Sequence, residues 1–317
     1  MTSPAVSIAN ITPYVGRFAP SPSGPLHFGS LVSALASYLD ARHHQGQWLL
    51  RVEDLDPPRE VAGSADAIVK SLETHKLHWD GEILWQSQRQ DAYREALTLL
   101  SDMGVTFPCR CTRKAIAALG GIYPGTCRTP DTPIRQDEPV AWRLLSHDFP
   151  ASVQASHIQI YDDLVFGPQQ QDVAAEMGDF IIKRKDGLYA YQLAVVVDDI
   201  YQGITHVIRG SDLLESTGPQ KLLFQLLGAT APRFGHCPVA LNALGQKLSK
   251  QHHASPLNDA QPSENLWQAL SFLRQMPPTT LRGAEPSELL SWAIHNWDIN
   301  QVPKIMGYQP PDSNQDR

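Results

Sequence analysis

Arg17, Glu53 and Arg209 each lie in or close a short apolar run, near residues that turn the chain. A guanidinium is a planar fork of N–H donors that suits a carboxylate, and a carboxylate in turn suits an ammonium. Two fixed cations and one anion, with hydroxyls from Ser21 and Tyr191, could hold a small amino acid that carries a second carboxylate. The same charges could instead neutralise each other, Glu53 against Arg209, at a sheet edge. A second group of residues suits phosphate. His27-Phe28-Gly29-Ser30 follows Ala19-Pro20-Ser21-Pro22-Ser23-Gly24-Pro25, whose prolines and glycine permit only a loop. His27 can hydrogen-bond a phosphate oxygen, and Gly29 leaves room for a base or ribose against the backbone. Lys247-Leu248-Ser249-Lys250 follows the turn Gly245-Gln246. Two lysines around a serine can grip a triphosphate and offset the charge that develops in phosphoryl chemistry. Alone, the first motif also reads as a histidine-capped turn and the second as a solvated charge pair.

Cys109, Cys111 and Cys127 lie in a stretch rich in glycine and proline, while Cys237 is remote and reads as a small buried residue. Three thiolates so close suggest a structural zinc site, and zinc wants four ligands. No histidine occurs between 109 and 146, so Tyr123 is the candidate fourth ligand. A phenolate is unusual there, because its free pKa of about 10 must be lowered by the metal. The alternative is a metal-free loop of reduced thiols.

These residues need a scaffold. Tyr14–Phe18 and Trp48–Glu53 read as strands, separated by the proline loop and a helix with Leu31, Val32, Leu35, Tyr38 and Leu39 on one face. Pro57-Pro58 is predicted to open a helix whose inner face is Val61, Ala65, Ile68, Val69 and Leu72. Ser87–Gln90 reads as a capping box before a helix over 92–103. Phe180–Lys183 and Tyr189–Val197 read as strands around an Asp186-Gly187 turn, followed by a strand at 204–208 and a helix through Leu222–Leu227. Two further helices fall near Leu266–Leu273 and Leu289–Trp297. Strand–loop–helix–strand–helix is the opening of a Rossmann-like, doubly wound parallel α/β sheet, whose ligands sit at the carboxyl ends of the strands and at a helix N-terminus.

The chain of 317 residues is 42% hydrophobic and 19% charged, enough to bury a core and too apolar for a disordered or fibrous protein. Its formal charge of −7 argues against a general nucleic-acid binder, so any RNA contact must use a local basic surface. No run of about 18 apolar residues could span a membrane. The first residues lack the features of a signal peptide, and the expectation is a cytoplasmic monomer.

Taken together, the two phosphate motifs resemble the paired nucleotide signatures of class I aminoacyl-tRNA synthetases, with Ser30 where a second histidine is common. Gly16–Gly24, Leu50–Asp56, Tyr191–Asp199 and Gly203–Asp212 are similar to stretches of glutamyl-tRNA synthetase, in family order across 14–252. The resemblance assigns Arg17, the Ala19 backbone, Ser21, Glu53, Tyr191 and Arg209 to a glutamate site. It assigns His27, Gly29, Ser30, Lys247, Ser249 and Lys250 to ATP, with Mg2+, and makes His27, Lys247 and Lys250 catalytic. Residues 109–127 resemble the zinc segment of the glutamyl-Q tRNA(Asp) synthetases, shortened paralogues of glutamyl-tRNA synthetase. That implies one structural zinc per chain on Cys109, Cys111, Tyr123 and Cys127. It also implies tRNA-independent activation of L-glutamate and its transfer to queuosine at the wobble position of tRNA(Asp). The expected organisation is a flexible arm (1–12), a catalytic domain in two halves (13–104 and 179–252), an inserted zinc subdomain (105–178) and a short helical region (253–317) with no anticodon-binding domain. A truncated glutamyl-tRNA synthetase charging a tRNA 3′ end, a small-molecule nucleotidyltransferase and a non-catalytic synthetase-like binding protein remain open at this point.

Overall fold

The strands β1 (Val15–Phe18) and β2 (Gln47–Val52) run parallel, Val15 opposite Gln47 and Phe18 opposite Leu50, with helix α1 (Phe28–His43) between them in sequence. A Cβ at Gly46 would stand 2.5 Å from the Tyr14 carbonyl oxygen, so only glycine lets the chain return beside β1. Helix α2 (Ser64–Thr74) then leads to β3 (Leu84–Trp85), which extends the parallel group beyond β2. These features come from a computed structural model that describes residues 13–118, 120–129, 134–135, 138–248 and 255–310. The expected arm, Ser249 and Lys250 lie outside the described residues.

The middle of the chain is antiparallel. After α3 (Gln90–Asp102), strand β4 (Thr106–Cys109) and helix α4 (Arg113–Ala117) lead to β5 (Ala141–Leu144), then β6 (Ile158–Asp163), β7 (Gly167–Asp172), α5 (Val173–Glu176) and β8 (Phe180–Lys183). The sheet order is β4-β5-β8, and β6 with β7 forms a hairpin. Parallel pairing resumes after α6 (Tyr191–Tyr201), where β9 (His206–Gly210) pairs across α7 (Thr217–Leu226) with β10 (Arg233–Cys237). The Thr205 amide donates to the Val15 carbonyl at 2.9 Å, which lays the start of β9 beside β1. Strand β11 (Val239–Ala240) pairs with β12 (Gly307–Tyr308) after α8 (Pro262–Phe272) and α9 (Pro286–Asn296). The fold is therefore α/β with mixed sheets.

Helix α1 is buried on nearly every side, as expected of a helix apolar around much of its circumference. Leu31, Leu35 and Leu39 pack with Trp48 and Leu50 on one side and with Leu270, Phe272, Leu289 and Trp297 of the C-terminal helices on the other. Each such leucine withdrawn from water contributes about 2 kcal/mol before entropy is counted. A second core joins α3, α6 and α7 through Tyr93, Leu97, Leu193, Val196, Leu222 and Leu223.

Three local expectations fail. Tyr189–Val197 is not a strand: Tyr191 opens α6, and Leu193, Ala194, Val195 and Val196 are all buried. A continuous apolar run covered on both faces looks the same in a buried strand and in a buried helix. Pro57-Pro58 opens only a 3-10 turn, and α2 begins at Ser64 after Gly63 takes φ +76°, leaving Val61 52% exposed. Ser87 caps nothing: its amide and hydroxyl both donate to Asp54, at 2.8 and 2.6 Å.

Candidate active site

The proline loop leaves β1 at Phe18 and its partner β2 ends at Val52, so Arg17 and Glu53 come to the same edge of the sheet. The end of β9 adds Arg209, the first turn of α6 adds Tyr191, and the stretch after β11 adds Lys247. Together they wall a cavity of about 380 Å³. Arg17, Ala19, Ser21, His27, Gly29, Ser30, Glu53, Tyr191, Arg209 and Lys247 all line it. Residues separated by nearly the whole chain thus meet at one place, as the sequence motifs require.

The charges are organised around a buried carboxylate that sequence reasoning missed. Asp199 of α6 accepts from Arg51 at 2.7 Å and from the Arg17 Nε and Nη2 groups at 3.4 Å each. Burial pushes the Asp199 carboxyl up, but Arg17 and Arg51 more than reverse this and hold it below the ordinary carboxylate range. Arg51 is fully buried, bonds Gln202 at 2.8 Å and sits 3.5 Å from Glu53. Glu53 shifts the other way: burial raises its pKa, and Arg51 and Arg17 recover only part. The alternative salt bridge between Glu53 and Arg209 is not formed, since Glu53 pairs with Arg51.

Arg209 makes no ion pair with a carboxylate among the described residues, although it is 4% exposed. Burial depresses its pKa, Tyr191 offsets part of this, and the nearby Arg17 cation depresses it further. The Asp199 carboxylate offsets part of this from a distance, so Arg209 is a buried cation held by neutral partners, a kind of group that favours an anion beside it. Tyr191 as a residue is 36% exposed, yet desolvation of its phenol beside Glu53 still raises its pKa, with Arg209 and Arg17 offsetting part.

At the phosphate end, His27 caps α1: its Nδ1 accepts the Ser30 N–H at 3.2 Å from an extended backbone. A Cβ on Gly29 would lie 3.3 Å from the His27 ring and 3.6 Å from the Leu248 carbonyl. The segment at His27 and the segment at Leu248 therefore meet at Gly29, which leaves no space to spare there. Lys247 is held by Asp212, Nζ to Oδ2 at 2.5 Å. Asp212 and Arg59 also line the cavity and carried no expected role. Asp212 stands within the 203–212 stretch, three positions after Arg209, which is the signal that could have singled it out.

A second cavity, about 580 Å³, opens beside the first and shares Ser21, Glu53, Arg59 and Tyr191 with it. Its further wall brings Tyr189, Arg113 of α4 and Arg184 just past β8, so it reaches towards the middle segment.

In that segment the sulfurs of Cys109, Cys111 and Cys127 lie within 4.8 Å of one another, and Cys111 and Cys127 are 3.6 Å apart. The edge of a tetrahedron of zinc–sulfur bonds is about 3.8 Å, so the donor set fits that metal. The Tyr123 hydroxyl accepts the Cys127 N–H at 2.6 Å, inside the cluster. Arg143 donates to the Cys109 sulfur at 3.2 Å and stacks over the Tyr123 ring at 3.9 Å, a cation placed to offset thiolate charge. Burial, with neighbouring sulfurs, pushes the Cys111 thiol up to about 11.

The model of the family described as tRNA synthetases class I (E and Q), catalytic domain, matches residues 14–275. A glutamyl-Q tRNA(Asp) synthetase of Cronobacter sakazakii is 48% identical, over 96% of this chain and 99% of its own. One of Serratia proteamaculans is 50% identical, over 92% of each chain. The crystal structure of glutamate-tRNA synthetase from Elizabethkingia anophelis superposes with a TM-score of 0.76 at 24% identity, covering 93% of this chain and 67% of that one, a likeness of fold. The chain belongs to the class I aminoacyl-tRNA synthetases of the glutamate and glutamine branch and, within them, to the glutamyl-Q tRNA(Asp) synthetase family. It is a ligase of the aminoacyl-tRNA synthetase type. Among the described residues no helix is long and apolar enough to cross a membrane.

Proposed function

We propose that the enzyme activates L-glutamate with ATP, without tRNA, and transfers it to the queuosine base at the wobble position of tRNA(Asp). The observation that carries the reading is Arg209, a buried guanidinium without a carboxylate ion pair among the described residues, in the same cavity as Arg17 and Glu53. Glutamate complements that cavity: its two carboxylates suit Arg209 and Arg17, the latter only loosely engaged by Asp199 at 3.4 Å, and its ammonium suits Glu53, with Ser21, Tyr191 and the Ala19 backbone orienting them. The two phosphate motifs hold ATP, through His27, Gly29, Ser30, Lys247, Ser249 and Lys250. Mg2+, when bound, neutralises charge on the phosphates.

A glutamate carboxylate oxygen attacks the α-phosphorus, pyrophosphate leaves, and a mixed anhydride with AMP forms. His27 and the lysines offset charge gathering on the phosphate oxygens. A hydroxyl of the cyclopentenediol ring then attacks the acyl carbon, AMP leaves, its proton passes to solvent or phosphate, and an ester remains. The second cavity supports this step, because it adjoins the amino-acid cavity and offers arginines and tyrosine rings of the kind that hold an unstacked base. Cys109, Cys111, Cys127 and Tyr123 would hold a structural zinc. We assign 13–104 and 179–252 to one catalytic unit on a doubly wound sheet, with 105–178 inserted and 253–317 as a helical extension.

The test uses labelled glutamate, ATP and tRNA(Asp) with queuosine or guanosine at the wobble position. Label is expected in the anticodon fragment of the queuosine form and nowhere in the guanosine form. Label at the 3′ terminal adenosine would instead establish a glutamyl-tRNA synthetase that charges acceptor ends. Pyrophosphate exchange with glutamate but no labelled RNA would leave only nucleotidyl transfer.

A further inference from the structure

Arg209 is held by a buried chain of groups that the reaction does not touch. Its Nε donates to His236 Nε2 at 3.0 Å and its Nη1 to the Gln220 side-chain oxygen at 2.8 Å. Its Nη2 donates to the Leu213 carbonyl at 3.1 Å and to the Thr217 hydroxyl at 2.9 Å. A guanidinium has five N–H groups. These four contacts leave one, on Nη1, for a ligand.

The histidine bond fixes a tautomer. Because His236 Nε2 accepts from Arg209, the ring proton sits on Nδ1, which donates to Asp163 Oδ2 at 2.5 Å. Asp163 Oδ1 meanwhile accepts the backbone N–H groups of Val165, Phe166 and His236 at 3.0, 2.9 and 3.2 Å. Every group facing this carboxylate is a donor, and only the ionised form satisfies them all. Asp163 is 2% exposed and His236 0%, so no water competes. The chain spans β6, β10, β9 and α7. Elements distant in sequence thereby converge on the direction of one guanidinium.

We propose that Asp163 and His236 are positioning residues for amino-acid activation: the carboxylate selects the histidine tautomer, and the histidine lone pair aims Arg209 at the ligand carboxylate. The proposal rests on the reading of Arg209 as part of the glutamate site. A second layer of hydrogen bonds that orients a first-contact group is the arrangement that sets ligand orientation in preorganised sites.

Asp163→Asn tests it. The amide oxygen must stay with the three backbone N–H groups, which turns the NH2 towards His236 Nδ1. That forces the ring proton to Nε2, where two N–H groups, from Arg209 and His236, then face each other. In glutamate-dependent pyrophosphate exchange, the glutamate KM is expected to rise at least about tenfold while the ATP KM moves less than about twofold. Nitrogen-15 NMR of labelled histidine should report the Nδ1–H tautomer in the wild type and Nε2–H in Asp163→Asn. The double variant Asp163→Asn with His236→Gln restores an acceptor oxygen opposite Arg209. It should recover at least about a third of the loss on a logarithmic scale, which a purely structural role would not give. A folded Asp163→Asn protein whose glutamate KM stays within about twofold overturns the proposal, as does a wild-type ring protonated on Nε2, whatever the variant's folding. Arg209→Gln separates the two readings. If it impairs glutamate use and Asp163→Asn does not, only the positioning role falls. If Arg209→Gln leaves glutamate KM and turnover unchanged, the glutamate site and the positioning role fall together.

Discussion

On the proposed reading His27 serves structure and chemistry at once, and the two roles can be separated. Its Nδ1 caps α1 through the Ser30 amide, and its ring lines the cavity. A side-chain cap contributes about 1 kcal/mol to stability. A preorganised contact to a transferring phosphate contributes about 3 kcal/mol, near a hundredfold, to the rate. Asparagine is a good cap but too short to reach the same phosphate. His27→Asn is therefore expected to keep the urea-unfolding free energy of the wild type while losing about a hundredfold of pyrophosphate exchange. His27→Ala should lose both. Exchange within about threefold of wild type in His27→Asn would reduce the histidine to a cap. The side chains that converge on the cavity were legible mainly as a set, through the resemblance, because taken singly Glu53 and Arg209 also read as a structural salt bridge and Tyr191 as part of a strand. Arg51 and Asp199 were not. Both stand inside apolar runs, and the reason they are charged is a contact between positions 148 apart that no local pattern encodes.

At the scale of elements, the legible part is whatever has an internal punctuation mark. The proline loop, α1 and the paired strands β1 and β2 follow from prolines, glycines and periodicity. Helix α6 does not, since its apolar run has no period, and only its packing against α3 and α7 decides between helix and strand. Two elements make expectations testable. The knuckle after β4 is expected to hold one zinc per chain by elemental analysis, and Tyr123→Phe to weaken its affinity at least about tenfold in competition with a chromophoric chelator. Unchanged affinity in Tyr123→Phe would remove the phenol from the ligand set. Chelation should loosen 105–130 to hydrogen exchange before the strands around Arg17 and Arg209, because all four candidate ligands fall between 109 and 127. The seam between β1 and β9 should respond to acid. His206 stacks on Tyr14 with ring centroids 4.0 Å apart, and burial, with Arg233 nearby, lowers its pKa to about 4. An unfolded histidine takes up its proton near pH 6.5. The stabilising effect of the neutral ring is thus complete above about pH 6.5 and is lost as pH falls towards 4, on the order of 3 kcal/mol in all. Urea titrations should show this slope in the wild type and a flatter one in His206→Phe, which keeps the stack but cannot protonate.

The whole molecule carries a formal charge of −7, so its long-range field repels RNA, and binding must come from a short contact where arginines gather. The second cavity, beside the first, has Arg59, Arg113 and Arg184 on walls that also carry Glu53, Asp56 and Glu60; Asp56 pairs with both Arg59 and Arg184, which leaves Arg113 as its candidate for a phosphate contact. Sequence-specific RNA recognition favours unstacked loop bases over helical stems. An enzyme whose acceptor is the wobble base therefore needs little beyond the loop that presents it, and its recognition surface and reaction site become one. A queuosine-bearing anticodon stem-loop of tRNA(Asp), cut from the rest of the molecule, is expected to accept glutamate at a rate within about threefold of whole tRNA. The same stem-loop with guanosine should accept none, because it offers no cyclopentenediol hydroxyl. If about three phosphates are neutralised in the loop, the logarithm of affinity should fall with the logarithm of salt at a slope near −2, far shallower than for a protein gripping the full tRNA. Arg113→Glu, at the start of α4, should slow transfer to the stem-loop while glutamate-dependent pyrophosphate exchange stays at the wild-type rate, since Arg113 lines the second cavity and not the first. Equal loss of exchange and transfer would place Arg113 in the activation step instead. Efficient glutamylation of whole tRNA with none of the stem-loop would move recognition away from the cavity to a surface that contacts the body of the tRNA.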